Sequence, residues 1–112
     1  MKKISFLLLS SLMLMAFTGQ DKIKVIFFGD SITQAGVNPG GYIKRIDSMS
    51  RAQGKNNYDF IGAGIGGNKI YDLYLRMEDD VLSKNPNVVV LYIGVNDVWH
   101  KASSGTGTDA DK

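Results

Sequence analysis

The sequence predicts an α/β fold in which a parallel sheet is covered by helices on its faces. Three observations carry that prediction: three runs rich in β-branched and aromatic residues, a glycine closing each run, and helical periodicity in the segments between them. Strands buried on both faces read as near-continuous apolar runs, and the order β-α-β-α-β joins them as parallel neighbours.

Ile23 to Phe28 is the first such run, and Gly29 ends it. A loop is expected from Gly29 to about Gly41, where Asn38-Pro39-Gly40-Gly41 is a turn signal. Tyr42, Ile43, Ile46 and Met49 then recur at helical spacing until Gly54. Tyr58 to Ile61 forms a second short strand that runs into Gly62-Ala63-Gly64-Ile65-Gly66-Gly67. Ile70, Leu73, Tyr74, Met77 and Val81 make the apolar stripe of an amphipathic helix, with Asp72, Glu78, Asp79 and Lys84 off it, and Asn85-Pro86 ends it. Val88 to Ile93, with its three consecutive valines, is expected to be a third buried strand, closed by Gly94. From Ala102 to Lys112 the chain is mostly Ser, Gly, Thr and Asp and reads as loop.

The 112 residues allow one small domain at most. Residues 1–19 have the grammar of a signal peptide: Lys2 and Lys3, then an apolar stretch from Ile4 to Phe17, then small residues at Ala16, Thr18 and Gly19. That stretch is shorter than the roughly 20 residues a spanning helix needs. An uncleaved anchor is the alternative; a lipoprotein is excluded because there is no Cys to acylate. Cleavage implies export, to the periplasm or the medium, with no stable membrane span afterwards.

The absence of cysteine also removes disulfides, thiol nucleophiles and Cys-ligated metals, and one His cannot build a multi-histidine site, so neither metal nor cofactor is expected. The formal charge of +2 comes from 13 basic and 11 acidic residues, and with Lys2 and Lys3 in the leader the remainder is neutral. A neutral domain has no electrostatic footprint for nucleic acid. Three strands are few for a doubly wound sheet, so residues 20–112 are expected to be the N-terminal part of a longer domain.

Ligands of such sheets gather at the carboxyl ends of the strands, which directs attention to three loops. Gly29-Asp30-Ser31-Ile32-Thr33 places a serine just beyond a buried strand, where a nucleophile is presented, although Asp30, Ser31 or Thr33 capping the next segment explains the same residues. Gly94-Val95-Asn96-Asp97 sets an amide and a carboxylate past the third strand; the amide can donate to an oxyanion, and an Asx turn is the plainer reading. Gly62-x-Gly64-x-x-Gly67 has the dinucleotide-binding spacing, but it follows the second strand, and no carboxylate closes the next one before Asp97. The backbone N–H groups of that loop serve an oxyanion equally well.

Taken in order, Gly29-Asp30-Ser31-Ile32-Thr33, Gly64-Ile65-Gly66-Gly67-Asn68 and Gly94-Val95-Asn96-Asp97 resemble the first three blocks of the SGNH (GDSL-type) esterase and lipase family. The resemblance spans about Lys24 to His100 and implies a three-layer, flavodoxin-like parallel sheet truncated after its third strand. It implies Ser31 as nucleophile, with the Ser31 and Gly67 N–H groups and the Asn96 side chain as the oxyanion hole. Asp30, Asp97, Trp99 and His100 are expected to contact substrate. The implied activity is serine-dependent hydrolysis of acyl esters, of a small molecule or of acetylated carbohydrate; a non-catalytic binding fragment of the same fold and a dinucleotide-binding domain are the alternatives.

Serine hydrolysis needs a base, and the only histidine is His100. Asp97-Val98-Trp99-His100 matches the Asp-x-x-His spacing of the family's acid and base, but in the family that block lies near the C-terminus. The match reads as coincidence, His100 is assigned to the cleft, and the 112-residue chain is expected to be inactive or nearly so.

Overall fold

A computed structural model describes residues 21–109. The expected signal peptide and its cleavage zone lie outside the described residues. Strands β1 (Ile23–Gly29), β2 (Tyr58–Gly64) and β3 (Val88–Tyr92) form a parallel sheet in the order β2-β1-β3. That order is the start of a flavodoxin-like doubly wound sheet. Helices α1 (Ser31–Gly36), α2 (Tyr42–Ala52), α3 (Ile70–Asp80) and α4 (Val95–Ser103) connect and follow the strands, with a 3-10 turn at Leu82–Lys84.

β1 is apolar throughout because both of its faces are covered. Ile26 and Phe28 pack on one face against Leu73 and Val81, while Val25 and Phe27 pack on the other against Ile43 of α2. Helices on opposite faces make the three layers, and each such side chain contributes roughly 1.5–3 kcal/mol by leaving water. Phe27 meets Tyr42 edge-on at 5.6 Å between ring centroids, which fixes α2 over the sheet.

Register places the functional loops. Gly29 pairs with Gly64 on one side and with Tyr92 on the other, so all three strands end on one line. The chain therefore leaves the sheet at three adjacent points on one edge.

The structure differs from the sequence reading in four places. The loop expected after Gly29 contains α1, a helix of six residues capped by Asp30. The third loop and the first residues of the expected tail form α4, whose Asp97 in the first turn and His100 and Lys101 in the last suit the helix dipole. The third strand is not buried: Val88 to Tyr92 are all exposed, Leu91 at 61 %. Among the described residues β3 pairs only with β1, and its faces are largely open to solvent. The apolar stripe of α3 is likewise only partly used, with Leu73 and Val81 buried and Ile70 and Tyr74 exposed, because Arg76 occupies the surface that faces the end of β1.

Candidate active site

Ser31 is the first residue of α1 and is exposed. Its own N–H belongs to the first helical turn and has no acceptor within the helix. Asp30, 1 % exposed, turns its carboxylate inward, where Oδ1 accepts the Ile32 N–H at 2.9 Å and caps α1. Its Oδ2 is buried with no partner among the described residues. Thr33, also buried, shares a hydrogen bond with the Tyr42 hydroxyl at 3.1 Å. The capping alternative read from Gly-Asp-Ser is therefore what Asp30 does, and the cap leaves Ser31 exposed at the first position of the helix.

Two glycines let the elements close. A Cβ at Gly29 would collide with the Tyr92 carbonyl and the Thr33 hydroxyl, and one at Gly64 with the Gln34 and Asp30 backbone. The first brings β3 and α1 against the end of β1, and the second lets α1 lie directly on the end of β2.

The glycine-rich loop reaches Ser31. The position of a Cβ on Gly66 lies 3.8 Å from Ser31 Cβ, and the Gly66 N–H donates to Gln34 Oε1 at 2.9 Å. Gly67 has φ of +78° and faces open space, which leaves it free to approach a bound group. Asn96 is buried, and its Nδ2 donates to the Asn68 carbonyl at 3.0 Å. An amide NH2 has two donors, so one N–H of Asn96 is held by the loop and one remains for a ligand.

Asp97 is 6 % exposed, and its carboxylate faces protein. Its two oxygens accept the Ile70 N–H at 3.4 and 3.3 Å, and Oδ1 accepts the Thr108 hydroxyl at 2.6 Å. The carboxylate joins the N-terminus of α3 to the segment after α4. Trp99 is exposed on α4, and His100 is half-buried, its carbonyl accepting the Ser104 and Thr106 N–H groups beyond the helix.

Sequence reasoning missed Gln34, Asn68, Thr108 and Arg76. Arg76, on a helix read as a simple apolar stripe, donates from Nε to Asn68 Oδ1 at 2.8 Å and from Nη2 to the Gly29 carbonyl at 2.9 Å. No spacing rule announces these residues; only the cation itself, among apolar neighbours on a helix that must cover the sheet, was a signal.

The glycine spacing that suggested a dinucleotide is explained by packing. A Cβ on Gly62 would meet Val37, and Gly64 accommodates α1, so both glycines face protein. The start of α3, where a pyrophosphate would sit, already carries carboxylates: Asp97 on the Ile70 N–H and Asp72 on the Lys69 N–H at 2.8 Å.

An α/β sheet that places an exposed serine, a glycine-rich turn and an asparagine amide at adjacent strand exits has the layout of a serine acyl hydrolase. The model of the GDSL-like Lipase/Acylhydrolase family matches residues 27–110. The chain belongs to that family. An acetylxylan esterase of Geobacillus stearothermophilus is 33% identical to it over 70% of this chain and 41% of that protein. Among solved structures, the acetyl xylan esterase AlAXEase is 76% identical, with a TM-score of 0.77, over 80% of this chain and 46% of its own. Axe2, an acetylxylan esterase from Geobacillus stearothermophilus, is 27% identical with a TM-score of 0.72, over 81% of this chain and 49% of its own. The chain thus spans less than half the length of these relatives. Catalytic mutants of Axe2 replace a serine, an aspartate and a histidine, the last two three residues apart.

Proposed function

We propose that the whole protein is a serine esterase that removes acyl groups, acetyl groups on carbohydrate in particular, and that residues 20–112 supply its nucleophile and oxyanion hole. The observation that carries this reading is the convergence of Ser31, the Gly66-Gly67 turn and Asn96 at three strand exits aligned by register. Membership of the family and the acetylxylan esterases among the relatives support it.

In the proposed reaction Ser31 Oγ attacks the ester carbonyl and gives its proton to a general base. The carbonyl oxygen becomes an oxyanion, met by the N–H groups of Ser31 and Gly67 and the free N–H of Asn96. Collapse breaks the ester bond, the base returns the proton to the departing sugar hydroxyl, and Ser31 holds the acyl group. Water then adds to the acyl-enzyme under the same base and releases the acid.

The base is proposed to be a histidine C-terminal to Lys112, in the part of the relatives' length that these 112 residues do not span. Asp97 supports this, because its carboxylate bonds to Ile70 and Thr108 and not to His100 among the described residues. His100 and Trp99 are assigned to the substrate cleft, and the 112-residue chain alone is expected to have little or no turnover. Residues 1–19 are proposed to direct export and to be removed, so the exported protein should begin near Gln20 by intact mass.

Hydrolysis of 4-nitrophenyl acetate and of acetylated xylo-oligosaccharide by the full-length protein tests the reading. Ser31→Ala should lower kcat by at least about 10⁴-fold. Unchanged turnover in that variant removes Ser31 from the mechanism.

A further inference from the structure

We infer that Arg76 is a positioning residue for the oxyanion hole, its guanidinium tying together the three loops that build it. The inference deepens the esterase reading and rests on it for its kinetic consequence.

Arg76 lies on α3, on the inner side of the loops, and touches none of the proposed reacting atoms. Its side chain is 15% exposed, and its guanidinium carbon sits 4.5 Å from the centroid of the Phe28 ring. From there Nη2 donates to the carbonyl of Gly29, the residue that precedes Asp30 and Ser31, at 2.9 Å. Nη1 and Nη2 both donate to the carbonyl of Ala63, just before the glycine-rich turn, at 3.1 Å each. Nε donates to Asn68 Oδ1 at 2.8 Å, and the carbonyl of the same Asn68 accepts from Asn96 Nδ2 at 3.0 Å. Asp80 Oδ2, at 2.6 Å from Nη1, balances the charge.

One planar group therefore reaches the first loop directly, the second at both its ends, and the third through Asn68. The Gly29 carbonyl also accepts the Ile65 N–H at 3.1 Å, which closes the ring between the first loop and the second. A lysine would keep the charge but lacks the fork that serves several carbonyls at once. An oxyanion hole depends on donors fixed before charge develops, so a group that holds its backbone still acts on the chemical step more than on binding.

The test uses Arg76→Met and Arg76→Lys in the full-length protein, with Ser31→Ala as the control for the reaction. Both Arg76 variants should lose about 10- to 100-fold in kcat while KM stays within about threefold, and the lysine should not rescue. In ¹H–¹⁵N spectra of the folded variants the Gly67 backbone amide and the Asn96 side-chain amide should shift or broaden, and Ile23 and Tyr58 at the far end of the sheet should not. A kcat within about twofold of the parent, with only the melting temperature lowered, overturns the inference. Undisturbed Gly67 and Asn96 signals overturn it too. Should neither Arg76 variant fold, Asn68→Ala removes one arm of the clamp and must produce the same split in kcat and KM; unchanged kinetics reject the clamp. If the parent hydrolyses no ester, or Ser31→Ala is fully active, the esterase reading fails, and the spectra still decide whether Arg76 holds the loops.

Discussion

β1 and β3 are both apolar runs in one sheet, hydrogen-bonded to each other from Val25–Val88 to Gly29–Tyr92. Ile26 and Phe28 of β1 are 0% and 1% exposed, whereas their partners Val89 and Leu91 in β3 are 45% and 61% exposed. The sequences of the two strands ask for the same burial; only one finds it, because α2 and α3 pack over β1 and leave the faces of β3 largely open. Apolarity encodes a demand for a partner, and the partner's location decides whether that demand is met.

Yet the site draws on both strands. Ser31 leaves the buried strand and Asn96 follows the exposed one, so the proposed nucleophile stands on a packed support while the proposed oxyanion donor follows a strand that is largely open to solvent. Beyond the strand pairing, the hydrogen bonds from Asn96 to Asn68 and from Ile70 to Asp97 tie the exposed side to the packed one.

The contrast can be broken most strongly in the core. Phe28→Ala should destabilise the fold by about 3–5 kcal/mol, read by denaturant unfolding, because a ring enclosed by Leu73, Val81 and Arg76 leaves a cavity. Asn96→Ala should lower kcat for an acetyl ester by about 10²- to 10³-fold, as expected for an oxyanion donor. An effect below about fivefold would confine Asn96 to holding the loop. Leu91→Ala in the 112-residue chain should change unfolding free energy by no more than about 0.5 kcal/mol, and Leu91→Lys should reduce self-association in light scattering, since an open apolar strand edge invites pairing. If Leu91→Ala costs as much as Phe28→Ala, β3 is covered in solution and the contrast disappears.

The smallest effect belongs to the ion pair between Lys101 and Asp109, 2.7 Å apart and open to solvent. The hydrogen bond from Lys101 and its charge lower the Asp109 pKa, so any stabilisation is present at neutral pH and is lost only as the pH falls below the ordinary carboxylate value and through the lowered one. Asp109→Asn should leave the melting temperature unchanged in 150 mM salt, where exposed charges are screened.

The α/β class, the order of elements along the chain and the three loops were legible because strands of a parallel sheet leave continuous apolar runs and glycines mark their exits. α1 was not, since the six residues from Ser31 to Gly36 hold too little periodicity to stand out from a loop; the Asp30 cap was its one local sign. α4 carried its sign in Val95, Val98 and Trp99 at helical spacing, hidden under a stretch that reads equally as a turn. The inward carboxylate of Asp97 and the clamp of Arg76 rest on partners 27 and 47 residues away in Ile70 and Gly29, and no local pattern encodes such a distance.

The central claim is that Ser31 is the acyl-accepting nucleophile, and covalent trapping tests it most directly. Full-length protein treated with a fluorophosphonate, which leaves a tetrahedral adduct on an activated serine, is digested and its peptides are weighed. The account predicts a single adduct on Ser31, formed more slowly in Asn96→Ala and absent in Ser31→Ala. An adduct on another residue, or ester hydrolysis that survives without any modification of Ser31, would contradict it.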